Sequence, residues 1–85
     1  MISPDTMQAA VRKLDCHGRT IWRLMATRGG LPCGLGHMLD FDDREDAENC
    51  AISFARRNSW PVDIAIYYTP GRAATSFRSF PGPLK

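Results

Sequence analysis

The sequence predicts an α+β two-layer sandwich with elements in the order α-β-β-α-β: a small, mostly antiparallel three-stranded sheet with helices on one face, and an irregular C-terminal tail. Three observations predict it. Residues 42–57 repeat apolar side chains at helical spacing, residues 62–68 alternate them at strand spacing, and the glycine-rich stretch RGGLPCG separates two further apolar runs. With 85 residues there is room for one domain, placed at 1–69, followed by a Pro/Gly-rich basic tail at 70–85.

Ser3-Pro4 has the form of a helix start, with Ser3 as N-cap and Pro4 at the first helical position. Met7, Ala10, Val11 and Leu14 follow at helical spacing, and Gly18 can supply a left-handed stop, so a short helix is expected over Pro4 to Cys16. Thr20 to Thr27, TIWRLMAT, is rich in strand formers and apolar on both faces, with Trp22, Leu24 and Ala26 on one and Ile21 and Met25 beside Arg23 on the other. One face should pack on the helices. The other needs cover from the tail, a second subunit or a partner.

Arg28 to Gly34 holds three glycines and a proline and is expected to be a hairpin connection. Leu35 to Phe41 alternates Leu35, His37, Leu39 and Phe41 against Gly36, Met38 and Asp40, which predicts the second strand. Asp42 is the expected N-cap of the next helix, with Glu45 completing a capping box and Asp43, Glu45 and Asp46 meeting the positive end of the helix dipole. Ala47, Cys50, Ala51, Phe54 and Ala55 share one face of that helix. Pro61 forces Trp60 out of the helical region, and Val62, Ile64, Ile66 and Tyr68 then form the apolar face of a strand. The remainder, PGRAATSFRSFPGPLK, has three prolines and no usable period, and is read as irregular.

The net charge of +2 conceals a division: residues 70–85 hold Arg72, Arg78 and Lys85 and no acid, whereas Asp40, Asp42, Asp43, Glu45, Asp46 and Glu48 face Arg44 alone within one short stretch. No run approaches the ~20 apolar residues of a membrane span. The N-terminus MISPDTMQAA lacks the basic start and apolar run of a secretory signal, and three cysteines without paired spacing do not read as a disulfide framework, so the expected location is cytoplasmic.

Site chemistry is sparse. Cys16, His17, Cys33, His37 and Cys50 are candidate zinc ligands, yet only Cys33-x3-His37 approaches knuckle spacing, and Cys50 falls on the apolar helix face. The acids from Asp40 fail the EF-hand pattern, with Glu45 and Ala51 where glycine and glutamate are required. The loop RGGLPCGLG lies between two strands, with no helix N-terminus to aim at a phosphate, and neither histidine has an orienting third group for a cysteine nucleophile. No metal, cofactor or enzymatic activity is expected.

Binding is the remaining class. A protein or nucleoprotein partner, met by a monomer or homodimer, would use Asp40, Asp42, Asp43, Glu45, Asp46, Glu48, Ile52, Arg56 and Tyr67, an acidic patch next to apolar and aromatic side chains. The alternative is a nucleic-acid-binding face of Arg23, Arg28, Arg57, Arg72 and Arg78 with Phe77 and Phe80 as stacking platforms.

The stretch DFDDREDAENCAISFARR followed by PVDIAIYY resembles small bacteriophage or mobile-element proteins, among them type I anti-CRISPR proteins, in size, element order and acid-rich helix start. The resemblance covers Thr20 to Tyr68 and includes no signature motif. It implies a stoichiometric inhibitor that binds a host CRISPR-Cas nucleoprotein complex and blocks nucleic-acid binding or effector recruitment. Asp42, Asp43, Glu45, Asp46 and Glu48 would then occupy cationic sites that otherwise take phosphates.

Overall fold

A computed structural model of the chain describes residues 5–33 and 39–82. Six strands and one helix follow in the order β1 (Met7–Cys16), β2 (Arg19–Arg28), β3 (Leu31–Pro32), β4 (Leu39–Phe41), α1 (Arg44–Arg57), β5 (Val62–Tyr67) and β6 (Ser76–Phe80). The sheet runs β3-β2-β1-β5-β6, with β4 pairing along the same edge of β2 as β3. β1 and β5 are parallel neighbours, and the other pairs are antiparallel. This corrects the expected α-β-β-α-β order and three-stranded sheet: the described chain is a six-stranded mixed sheet with a single helix.

The expected first helix is strand β1. Its sequence also alternates, placing Met7, Ala9 and Val11 on one face, and all three are buried. A two-residue turn decides the matter. His17 and Gly18 both have positive φ, 53° and 76°, as a type I′ hairpin turn requires, so the chain folds back and ten residue pairs zip from Cys16↔Arg19 to Met7↔Arg28. Gly18 therefore opens a hairpin and does not cap a helix. The proposed cap at Ser3 lies outside the described residues, as do positions 35–38 of the expected second strand, of which Leu39–Phe41 is β4.

The tail is corrected likewise. Ser76–Phe80 pairs in register with β5, from Val62↔Phe80 to Ile66↔Ser76, and becomes an edge of the sheet.

Helix α1 starts one residue later than its sequence suggests. Asp43 is the N-cap, with no side-chain cap hydrogen bond, and Asp42 instead forms an ion pair with Arg19 at the hairpin turn. The helix ends in a Schellman motif: Ser59 N–H donates to the Arg56 carbonyl at 3.1 Å and Trp60 N–H to the Ala55 carbonyl at 2.9 Å. Ser59 takes the left-handed position at φ 60°, and the Trp60 ring meets Phe54 edge-on at 5.9 Å, the apolar contact that accompanies this cap.

Alanines let the helix lie close to the sheet. Ala47, Ala51 and Ala55 are fully or almost fully buried against Met7, Ala9, Val11, Leu24, Val62, Ile64 and Ile66. The helix packs on β1, β2, β4 and β5 from this side only. Among the described residues nothing packs over the opposite face.

Candidate functional site: the open face of the sheet

Strand alternation and register determine what the uncovered face displays. Because Val11, Leu24 and Ile66 point into the core, the residues beside them point away from it. Three rows result across β2, β1, β5 and β6. Thr27, Gln8, Asp63 and Ser79 form the first, Met25, Ala10, Ala65 and Phe77 the second, and Arg23, Arg12 and Tyr67 the third.

The middle row is apolar and accessible. Phe77 is 75% exposed and Met25 43%, at the two ends of the row with Ala10 and Ala65 between them. With Ala10, Ala65 and Tyr67 they line a shallow groove of about 400 Å³. The flanking rows carry the polar groups. The Arg12 guanidinium lies 4.0 Å from the centre of the Tyr67 ring, a cation–π arrangement that holds both side chains down on β5. Arg23 grips Asp40 through two hydrogen bonds, 2.8 Å from Nε and 3.2 Å from Nη2. Those bonds hold the Asp40 carboxyl below its usual range and raise the Arg23 guanidinium further. Asp63 makes no side-chain hydrogen bond or ion pair among the described residues.

The acids singled out from the sequence separate into two groups. Asp40 and Asp42 are engaged by Arg23 and Arg19, and Glu48 is 1% exposed, accepting a 2.7 Å hydrogen bond from Arg78 with Arg44 Nε 3.0 Å away. Arg44 also donates to the Tyr68 hydroxyl; that bond, and behind it the charge of Glu48, raises the Arg44 pKa. Tyr68 in turn packs edge-on to Trp22 at 5.5 Å. Asp43, Glu45 and Asp46 remain exposed at the helix start, around a depression they share with Trp22. Ile52 is half-buried against the core and does not stand out on a polar side, while Arg56 is exposed near the helix C-terminus.

The arginine and phenylalanine set does not assemble. Arg23 and Phe77 belong to the open face, whereas Arg28, Arg78 and Phe80 lie on the helix side of the sheet. There Arg28 pairs with Asp5 and covers the Trp60 ring at 4.3 Å, and Arg78 covers Phe80 at 5.0 Å. Arg57 is exposed at the end of α1, and Arg72 in the β5–β6 connection.

No protein-family model, curated protein or solved structure matches the chain. Site geometry therefore carries the functional argument.

Among the described residues no three His, Cys, Asp or Glu side chains gather as a metal site, and no helix is long and apolar enough to cross a membrane. Of the candidate zinc pair, Cys33 is half-buried and His37 lies outside the described residues. Strand alternation in the sequence puts Ile21 and Met25 on a face needing cover, but does not join them to Ala10, Asp63 and Ala65. That grouping requires the register between β2, β1 and β5, two of which are far apart in the chain.

Proposed function

We propose that this chain is a non-enzymatic protein-binding module that receives its partner on the open face of the sheet. One observation carries the reading: the exposed Phe77 and Met25 sit on a single apolar groove, on the side of the sheet that the helix leaves uncovered. An apolar centre of aromatic and methionine side chains with arginine at its margin is the composition that interface cores favour. Action as an inhibitor of a host nucleoprotein complex is compatible with such a module, with Asp43, Glu45 and Asp46 available at the helix start as a secondary, phosphate-like contact. The three unpaired cysteines support a reducing compartment, the cytoplasm.

Nucleic-acid binding is the weaker reading because Arg23, Arg28 and Arg78 are each bound to a carboxylate, Arg57 and Arg72 lie on separate elements, and on the open face Arg12 is accompanied by Asp63. Tracking a phosphate backbone requires uncompensated positive charge.

Immobilised wild-type chain, Phe77→Asp, and the triple variant Asp43→Lys, Glu45→Lys, Asp46→Lys separate these readings. Partners retained by wild type and by the triple variant, and lost on Phe77→Asp, support the sheet face. Loss only on the triple variant transfers the contact to the helix start. Tight binding to single-stranded DNA or RNA with a steep salt slope overturns the proposal.

A further inference from the structure

The open face has a pattern beyond being apolar: its charges are arranged so that the surface complements itself. This inference rests on the reading of that face as a protein-binding surface and identifies the partner. Arg12 pairs across with Tyr67 and Gln8 with Asp63, so the cation and the anion flank the apolar Ala10–Met25–Ala65–Phe77 row on opposite sides. Four residues of extended chain separate the two levels, about 13 Å, too far for Arg12 and Asp63 to pair within one molecule. Each charge thus lacks its opposite within the copy and has it displayed beyond the apolar row.

We infer that the open face binds a second copy of this chain, sheet to sheet, about a two-fold axis that crosses the strands at the Ala10–Met25–Ala65–Phe77 row. Such an axis lays each strand over its own counterpart with its direction reversed. Residues of the middle row meet themselves, so Phe77 packs near Phe77 and Met25 near Met25 of the second copy. Residues two positions before the row meet those two positions after it. Asp63 then stands opposite Tyr67 of the second copy, where the Arg12 guanidinium already lies over the ring at 4.0 Å. Two Arg12–Asp63 pairs close the margin of the interface. No like charges oppose: Arg12 faces Gln8 and Arg23 faces Thr27, while Arg23 remains held by Asp40. A heterologous partner has no reason to impose this reciprocity on one surface. A second copy does.

Sedimentation equilibrium of the full chain tests it, with circular dichroism confirming that each variant is folded. Wild type is expected to dimerise. Arg12→Asp and Asp63→Arg should each weaken the dimer about tenfold or more by placing like charges together, and the double variant carrying both exchanges should regain most of the affinity. Phe77→Ser should abolish association. A wild type that stays monomeric at the highest attainable concentration overturns the inference, as does a dimer indifferent to both charge reversals and to Phe77→Ser. Oxidative footprinting of Met25 and Phe77 then distinguishes a second copy from a different protein partner. Monomeric chain whose Met25 and Phe77 become protected in cell extract retains the protein-binding reading with a different partner; equal labelling in buffer and extract removes that reading as well.

Discussion

Arg78 on the last strand donates a 2.7 Å hydrogen bond to Glu48 on the buried side of the helix, joining two elements thirty residues apart in the chain. β6 contributes little large apolar surface to the core, since Phe80 is only partly buried and Phe77 points away from it. The carboxylate supplies the attachment. It lies between Arg78 and Arg44, so neither cation can be removed without leaving a buried charge undercompensated.

Arg78→Ala is therefore expected to destabilise the chain by about 2 kcal/mol, less than for a fully enclosed pair because half of the Arg78 side chain is in water. Urea unfolding would measure it. A double-mutant cycle with Glu48→Gln should show coupling of about 1 kcal/mol or more; additive effects would mean that β6 is held by its backbone ladder alone.

Ser59 sits at φ 60°, where a β-carbon is strained and glycine is not. Ser59→Gly should raise stability by about 0.5–1 kcal/mol, because the relieved strain exceeds the added freedom of the unfolded chain. Ser59→Val should lower it. Thermal melts of the two variants moving in the same direction would contradict the Schellman assignment.

The buried alanines set the distance between helix and sheet. Ala51 is fully buried, and Ala51→Leu adds volume where facing side chains already fill the space, at an expected cost of about 1–3 kcal/mol. In contrast, Ile64→Ala empties the sheet side of the same core and should cost about 3 kcal/mol. Denaturant midpoints for both should fall with unchanged slopes.

The Arg23–Asp40 pair gives a dependence on acid. Asp40 titrates lower in the folded chain than its ordinary value of about 3.9, so its contribution is complete above that value and disappears as the pH falls through the lower folded value. Melting temperatures of wild type and Asp40→Asn should converge on acidification below about pH 4 and differ by a constant amount above it. A difference that persists unchanged into strong acid would exclude the ion pair as its source.

Some of this architecture is legible in the sequence, and the reasons differ by element. The 44–57 helix and the 62–67 strand declare themselves because period, stop signal and length agree. β1 does not. Met7, Ala10, Val11 and Leu14 satisfy a helical face, Met7, Ala9 and Val11 satisfy a strand, and Ser3-Pro4 favoured the former. What decides between them is His17-Gly18, a turn whose first residue is not among the usual asparagine and aspartate. β6 is hidden for another reason: Phe77 and Phe80 fall on opposite faces, so the segment shows no one-sided apolar pattern. The candidate site follows the same logic. Tyr67 was visible as an outward residue on its own strand, whereas Asp63, Ala10 and Met25 become its neighbours only through pairings that local spacing does not encode.

The parallel pairing of β1 with β5 has a bearing on how quickly the molecule can form. The β1–β2 hairpin joins neighbouring segments and can close within about 1–10 μs, but Met7 finds Val62 only after the whole intervening chain, helix included, has been gathered. That one distant encounter joins two locally closed parts of the sheet, β2 with β1, β3 and β4 on one side and the antiparallel β5–β6 pair on the other. Refolding should accordingly be slow for so short a chain, in the millisecond-to-second range of proteins dominated by remote pairings. Until it completes, the edge of β1 that will receive β5 is bare, the period in which the chain is most open to joining another molecule by the wrong surface.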